Sequence, residues 1–426
     1  MTIQTEPLFS FLTQAVSPYH AVRAGKDVLR RHGYEELPWT QAWRLHQEGT
    51  YFVSLYGSAL MAFHVGKNVR SHVRLAAAHT DFPCLRIKPQ AVAKQRVYSR
   101  LNVEVYGGMN RSTWLDRPLS LAGKIVLRGS DAFQPRTQYV NLKRPLLTIP
   151  SLAIHMEPKT NDGLVLNPQK DMLPLFSCDG TELAEESLLS YLADALQVDS
   201  DAILAYELTA YPVEPPCYLG AHGELISASR LDNMTSVLAC LDGLVTAKEA
   251  DGLSLIALFD NEEVGSRTKQ GALSAALPNI RQRIYAALGL TQNDYLTDLS
   301  RAFLLSVDVA HALHPNAPEK NDITNFPVLN GGVVLKTAAS QSYVGDAESI
   351  AIIRALCETN DIPWQYYVNR SDIRGGSTLG SLVSANLAIR AMDIGVPLLA
   401  MHSARELMGT RDQDALTQLL TAFFAG

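Results

Sequence analysis

The chain has 426 residues, of which 47% are hydrophobic and 19% are charged, a composition typical of globular proteins with a large apolar core. Its formal net charge of -6 lacks the basic surplus of nucleic-acid-binding proteins, so we expect no nucleic-acid partner. No apolar run reaches the roughly 18 residues of a membrane span, and the N-terminus does not resemble a secretory signal. We therefore expect a cytoplasmic protein with no membrane partner and with reduced cysteines.

Helical and strand-like patterns alternate along the chain. Leu8, Leu12 and Val16 have helical spacing and predict a first helix. Short, continuously apolar runs are typical of strands that are buried on both faces of a sheet, and they cover residues 75–78, 253–259, 303–307 and 396–400. Helical patterns cover 234–247 and 349–359. This alternation predicts an α/β fold, with a mixed or mostly parallel sheet sandwiched by helices.

The middle third of the chain has a different character. It is richer in glycine, proline and polar breaks, with a strand-like piece at 121–127 and a helical stretch near 185–196. We predict a β-rich domain at 89–221, inserted between residues 1–88 and 222–426, which together form the α/β domain.

Ionisable side chains follow the apolar runs at the points where those runs end. They are His79 and Asp81; Asp260, Glu262 and Glu263; Asp308; and His402. Ligands of open α/β sheets bind beyond the carboxyl ends of the strands, so we expect these side chains to share one edge. Asp232, just before the helical pattern at 234, is a further member of the set.

The set offers two imidazoles and three carboxylates as metal ligands: His79, Asp232, Glu263, Asp308 and His402. Mixed nitrogen and oxygen ligands favour zinc, cobalt or manganese over magnesium or calcium. Five ligands exceed the usual complement of one ion, but a bridging carboxylate would let two ions have three protein ligands each. We therefore expect two divalent metal ions, with zinc as the first choice.

The neighbours of these ligands have chemistry of their own. Asp81 can accept the second N–H of His79, which fixes the imidazole tautomer. Side chains of adjacent residues diverge, so Glu263 can bind metal while Glu262 acts as the general base toward water.

Each position also has an ordinary structural explanation. Asp232 could cap a helix, Asp308 could cap a turn, and a Glu-Glu pair is usually a solvated face. From the residues alone, these structural roles and a metal site remain alternatives. The metal site is supported because several predicted strands each end in a residue type that binds metal.

At these residues the sequence resembles the aspartyl aminopeptidase family of metallopeptidases. The most specific match is Phe-Asp-Asn-Glu-Glu-Val-Gly-Ser, and the likeness continues in order from residue 17 to near the end; the matching stretches are 77–81, 229–233, 259–266, 307–312, 314–316 and 401–406. The resemblance implies a zinc-aminopeptidase-like catalytic domain that removes N-terminal residues, chiefly Asp or Glu, through attack of a metal-bridging hydroxide. One ion would be held by His79, Asp232 and Asp308. The other would be held by Asp232, Glu263 and His402.

The resemblance also implies roles outside the metal ligands. The insert would be a dimerisation domain, the chain would form homo-oligomers (dodecamers in the family), and His155 would reach a neighbouring subunit's active site. Lys336 would bind the acidic side chain of the peptide substrate, with Arg374 as another candidate cation. The family usually has Pro-Cys where Arg374-Gly375 stands and Asp where Pro118 stands, and these two departures bear on substrate preference and on loop packing.

Two other functions remain open at this point. The same ligands could serve another two-metal amidohydrolase, such as a dipeptidase, a carboxypeptidase or a deacylase. They could also brace a non-catalytic assembly protein, for which an unliganded base such as Glu262 would have no use.

Overall fold

The computed structural model describes residues 6–178, 186–247 and 251–426. Among these residues, no helix is long and apolar enough to span a membrane. The helices are α1 (Glu6–Gln14), α2 (Pro18–Arg31), α3 (Pro168–Asp171), α4 (Glu186–Leu196), α5 (Leu231–Thr246), α6 (Ala276–Ala287), α7 (Gln292–Leu299), α8 (Ala347–Thr359), α9 (Leu379–Leu387) and α10 (Thr410–Ala425).

The strands are distributed along the described residues. They are β1 (Glu35–Glu36), β2 (Thr50–Leu55), β3 (Ala59–Val65), β4 (Val73–His79), β5 (Cys84–Gln95), β6 (Tyr98–Tyr106), β7 (Leu119–Leu127), β8 (Arg136–Asn141), β9 (Leu175–Ser177), β10 (Ile203–Pro212), β11 (Cys217–Leu219), β12 (Leu225–Ala228), β13 (Leu253–Phe259), β14 (Phe303–Val307), β15 (Ala310–His311), β16 (Val333–Thr337), β17 (Trp364–Val368), β18 (Arg390–Gly395), β19 (Pro397–Leu399) and β20 (Glu406–Gly409).

The chain divides into two compact units. The first contains the described parts of 1–81, 216–401 and 406–426, and the second contains those of 82–215 together with the short segment 402–405. The second unit is thus an insertion into the first. Its proposed role in dimerisation stays a prediction.

A mixed sheet forms the centre of the first unit. Within the described residues its strand order is β1-β2-β3-β13-β4-β14-β18-β16-β17. The four central strands β13, β4, β14 and β18 run parallel to one another, whereas β3 and β16 run antiparallel to their inner neighbours. The predicted α/β class with a mixed sheet is confirmed.

Helices cover both faces of this sheet. Every residue of β13 is buried, as expected for a strand with apolar side chains on alternate sides and helices against each side. One core cluster joins Leu255, Ala257 and Phe259 of β13 to residues of α6, α7 and α9. On the other face α5 packs against β4 and β13, and α10 packs against α5.

A second, smaller sheet corrects one strand expectation. Residues 396–400 were expected to form a strand of the main sheet, but β19 lies in a sheet of order β11-β12-β20-β19-β15. The main-sheet strand at this point of the chain is β18, which the apolar pattern missed because Asp393 interrupts it. Asp393 is fully buried, so its polarity misled a prediction based on hydrophobicity.

The second unit contains an antiparallel sheet of its own, in the order β8-β7-β10-β5-β6-β9. The loop that precedes α3 carries apolar side chains that remain exposed to solvent. Leu152, Ile154, Met156 and Val165 are 60%, 47%, 72% and 92% exposed. Apolar groups gathered on one loop in this way are characteristic of contact surfaces.

Candidate metal centre and active site

Three adjacent parallel strands end together at one edge of the main sheet. β4 ends at His79, which lies opposite Phe259, the last residue of β13. Asp308 directly follows β14, on the other side of β4. The carboxyl ends of parallel strands thus bring the predicted ligands together, as the run endings indicated.

His79 is the centre of the group. Its Nε2 lies 3.5 Å from Asp232 Oδ1 and 3.6 Å from Asp308 Oδ1. These distances are too long for good hydrogen bonds. They are close to the roughly 3.3 Å that separates two ligand atoms each about 2.0–2.1 Å from one tetrahedral zinc ion, so the spacing fits shared coordination better than direct pairing.

Asp232 reaches the group from the start of α5. Its main-chain N–H donates to Glu406 Oε2 at 3.0 Å, and the side chain of Asn233 donates to the carbonyl of Val307 at 3.0 Å. The peptide bond between Asp232 and Asn233 is cis. The backbone angles of Asp232 and Asn233 are not helical, so the regular part of α5 begins after these two residues.

Asp81 has more partners than the sequence predicted. His79 Nδ1 lies 3.0 Å from the main-chain oxygen of Asp81 and 3.4 Å from its carboxylate Oδ1. The carboxylate also accepts the N–H groups of Glu262 and Glu263, at 3.1 Å each. Asp81 therefore orients both the imidazole and the turn that carries the two glutamates.

Asp260 and Asn261 shape that turn, a role that the sequence reasoning missed. Asn261 has a left-handed φ of 63°, a conformation that asparagine tolerates better than most residues. Asp260 Oδ1 accepts the N–H of Asn261 at 2.7 Å, and the side chain of Asn261 accepts the hydroxyl of Thr268 at 2.9 Å. The signal was present, because Asp260 directly follows β13.

Burial of several carboxyl groups around one imidazole sets the electrostatics. The pKa of Glu262 is raised to about 8, chiefly by burial and also by the neighbouring Asp308, Asp81 and Asp232 carboxylates, against the lowering effect of His79. Burial alone would lower the pKa of His79, but the nearby carboxylates of Asp232, Asp308 and Asp81 hold it well above its usual value. This buried excess of acid is a surrounding that divalent cations would neutralise.

The ligand atoms converge closely enough to hold an ion. Those of His79, Asp232 and Asp308 lie within 4.8 Å of one another, as do those of His79, Glu262 and Glu263. One imidazole with carboxylates is a donor set that zinc accepts, and three protein ligands leave a coordination position open, as in catalytic rather than structural zinc sites.

The two predicted histidines of the second unit lie in different segments. His402 belongs to the short segment 402–405, where its Nδ1 lies 3.1 Å from the carbonyl oxygen of Gly108 and its own carbonyl accepts the N–H of Asn110. His155 is exposed, on the loop that carries Leu152, Ile154 and Met156. Their functional roles stay predictions.

Lys336, which the resemblance gives as the residue that binds the acidic side chain, is buried. It lies in β16 with only 1% of its surface exposed. Its ammonium donates to the carbonyl of Val309 at 3.0 Å, one residue beyond Asp308, and lies 4.9 Å from the ring centre of Tyr343. An ammonium has three donors, and this amine is therefore placed to offer others to an anion.

Asp393 is the charge that faces Lys336 across the sheet, and sequence reasoning assigned it no role. The two residues are register partners in β16 and β18. Asp393 accepts the hydroxyl of Thr378 at 2.8 Å, and burial raises its pKa, although Lys336 acts in the opposite direction. A charged residue inside an otherwise apolar run was the signal that could have found it.

Comparison with known proteins identifies the family. The family described as "Aminopeptidase I zinc metalloprotease (M18)" matches residues 11–424. The chain belongs to this family. A relative from Clostridium acetobutylicum, "Probable M18 family aminopeptidase 2", is 42% identical over 421 residues, covering 98% of this chain and 97% of the relative. Membership of M18 confirms the resemblance to the aspartyl aminopeptidases and makes the chain a metal-dependent aminopeptidase.

Solved M18 structures share the fold. The structure described as "Cryo-EM structure of the Ape4 and Nbr1 complex" matches with a TM-score of 0.93 and 33% identity, covering 98% of this chain and 85% of that one. The dodecamer of mApe1 from S. cerevisiae matches with a TM-score of 0.85 and 26% identity, covering 99% and 96%.

Proposed function

We propose that this chain is a two-metal aminopeptidase that removes N-terminal Asp or Glu from peptides, with Glu262 as the general base. The observation that carries the proposal is the convergence of His79, Asp232 and Asp308 beside the Glu262-Glu263 turn. That arrangement combines metal ligands with a buried carboxyl group whose pKa is raised to about 8.

The proposed second ion would use Asp232 as a bridge, with Glu263 and His402 as its other ligands. A hydrogen bond from His402 Nδ1 to Gly108 would leave the lone pair at Nε2 for coordination. When bound, the ions would polarise the scissile carbonyl and lower the pKa of water toward about 7.

The chain's own residues would carry the proton and place the substrate. Glu262 would accept a proton from the attacking water and deliver it to the leaving amine. Asp81 would hold Glu262 in place through the main-chain N–H bonds described above. Lys336 would receive the carboxylate of the peptide's first side chain, since a buried ammonium is a strong partner for an anion.

Oligomer formation through the second unit belongs to the same proposal. The exposed apolar side chains around His155 support a contact between subunits, and the mApe1 structure from S. cerevisiae, which shares the fold, is a dodecamer. The cytoplasmic location expected from the sequence stays a prediction.

The test is a Glu262→Gln variant of the full-length protein loaded with zinc. We expect turnover of Glu-terminated peptides to fall by ~10²–10⁴-fold, because the amide cannot accept the proton, while zinc content remains that of the parent. Cleavage should also require an unblocked α-amine in the peptide. Undiminished turnover in the variant, or efficient cleavage of N-acetylated peptides, would reject the proposal in favour of another amidohydrolase activity.

A further inference from the structure

A basic cleft lies in the first unit, and its described lining contains none of the predicted metal ligands. It has a volume of about 310 Å³, and its described lining includes Lys320, Arg370 and Arg374 but neither aspartate nor glutamate. His311 and His314 complete its polar wall. A concave surface with one sign of charge favours ligands of the opposite sign.

The three cations of this cleft are not equally available. Arg370 lies 2.7 Å from the carboxylate of Asp372 and also donates to the carbonyl of Glu319, so its charge is largely matched. Among the described residues, neither Arg374 nor Lys320 has an ion pair, and both are exposed. Arg374 therefore offers a planar guanidinium fork that suits a carboxylate.

The loop that carries Arg374 is fixed against the cleft wall. A Cβ at Gly375 would overlap the side chain of Asn369, so only glycine allows the backbone to approach this closely. Asn369 in turn accepts the hydroxyl of Tyr367 at 2.8 Å. Packing of the neighbouring Gly375 against Asn369 therefore helps to fix the position of Arg374.

Two aromatic rings connect the cleft to Lys336. Tyr367 lines the cleft and lies 6.0 Å from Tyr343 between ring centres, and Tyr343 lies 4.9 Å from the Lys336 ammonium. Together these two steps correspond to about three residues of extended chain. A peptide whose first side chain meets Lys336 would therefore bring its second to fourth residues within reach of the cleft that Tyr367 and Arg374 both line.

We propose that this cleft binds a carboxylate on the leaving side of the scissile bond, so that the enzyme prefers peptides with a further acidic residue at positions two to four. The inference rests on the proposed aminopeptidase function and adds a second anionic subsite to it. Lys336 and Arg374 then bind the side chains of different residues of the same acidic peptide.

The test uses zinc-loaded, full-length protein and peptide amides that all begin with Glu. One series carries a single Asp at position two, three or four of an otherwise alanine peptide, and parallel series carry Lys or only Ala. For the parent we expect kcat/KM to be about three- to fivefold higher with Asp than with Ala at one of these positions, the range of an exposed ion pair. This ratio should decrease as salt is added.

Substitutions at Arg374 test whether this arginine causes the preference for Asp over Ala. Arg374→Gln should bring the Asp-to-Ala ratio near one, Arg374→Lys should retain part of it, and Arg374→Glu should favour the Lys peptides instead. Arg23→Gln changes an exposed arginine of α2 and serves as the matched control, which should keep the parent ratio.

Three results would count against the subsite. An unchanged ratio in Arg374→Gln, or no downstream preference in the parent, would overturn it while leaving the aminopeptidase proposal intact. Dependence of the Arg374 effect on the first residue alone would place this arginine with Lys336 and also overturn the inference. Failure of every variant and parent to cleave any peptide would instead contradict the proposed function.

Discussion

The edge of the main sheet and the basic cleft hold charged residues in opposite ways. At the sheet edge, His79 and Asp81 are almost completely buried and each contacts several others, so the positions of their atoms are largely determined before a ligand arrives. In the cleft, Arg374 is exposed and has no ion pair among the described residues. The proposed metal centre thus depends on fixed atoms, whereas the proposed downstream subsite depends on an accessible charge.

Apart from Glu262→Gln, the largest effect that tests this difference between the sheet edge and the cleft is expected at Asp81. Asp81→Asn preserves the shape but replaces one acceptor oxygen with a donor, which opposes the N–H groups of Glu262 and Glu263. We expect zinc affinity to fall by about 10–100-fold, measured by competition with a chromophoric chelator. Asp27→Asn, at an exposed aspartate of α2, is the control. Parent-like affinity in Asp81→Asn would show that its contacts do not preorganise the site.

A more selective effect of similar size is expected at Lys336. Lys336→Met should lower kcat/KM for Asp- and Glu-terminated peptides by about 10–100-fold, the loss of a charge-assisted contact worth roughly 1.5–3 kcal/mol. Peptides that begin with Ala should be affected much less. The measurement is a panel of peptides that differ only in the first residue.

A double variant distinguishes a change in substrate specificity from a folding defect. Removing Lys336 alone would leave the buried carboxylate of Asp393 without its opposing charge, and such uncompensated charges are costly. Lys336→Met combined with Asp393→Asn removes both charges and should show the same selectivity change. Equal losses on acidic and neutral peptides in both variants would argue against Lys336 as the specificity residue.

The smallest effect concerns a buried acid that belongs to neither region. Burial raises the pKa of Asp242 in α5 to about 6, despite the lowering influence of His32 and Arg31. A folded-state pKa above the unfolded value means that the folded protein holds the proton more tightly, so stability should fall as pH rises from about 4 to 6. Asp242→Asn should remove this loss and be roughly 1–2 kcal/mol more stable than the parent at pH 8.

Urea unfolding at several pH values provides the measurement for Asp242. The stability difference between variant and parent should be near zero at pH 4 and should reach its full value above about pH 6. A difference that does not vary with pH would mean that the charge of this carboxyl has no influence on folding.

The bounds of the strands that lead to the site were predicted from the sequence more accurately than the hydrogen bonds formed at the site. The run 253–259 has the same bounds as β13, and the run 303–307 has the same bounds as β14, because continuous apolar residues are typical of strands covered on both sides. The run at 396–400 failed, since Asp393 broke the pattern of β18 and the apolar residues after it joined the smaller sheet.

Hydrogen bonds at the site could not be read from residue order in the same way. No local pattern indicated that Asp81 would accept two N–H groups of a turn that begins 181 residues later, nor that Lys336 would be buried. Both depend on how strands pair and on which loops meet at the sheet edge, and pairing partners far apart in sequence are not encoded by local periodicity. Likewise, the cleft around Arg374 is assembled from several separate segments.

The three successive alanines that precede His79 in β4 have a consequence for how the enzyme can vary. Small side chains on both faces of a strand distinguish poorly between one alignment and the next, so the surrounding core would tolerate a shift of β4 more readily than a strand of large residues would allow. A shift by a single position would nevertheless turn the imidazole to the opposite side of the sheet. Loss or gain of one alanine here would therefore remove a predicted metal ligand from the site while changing the volume of the core very little.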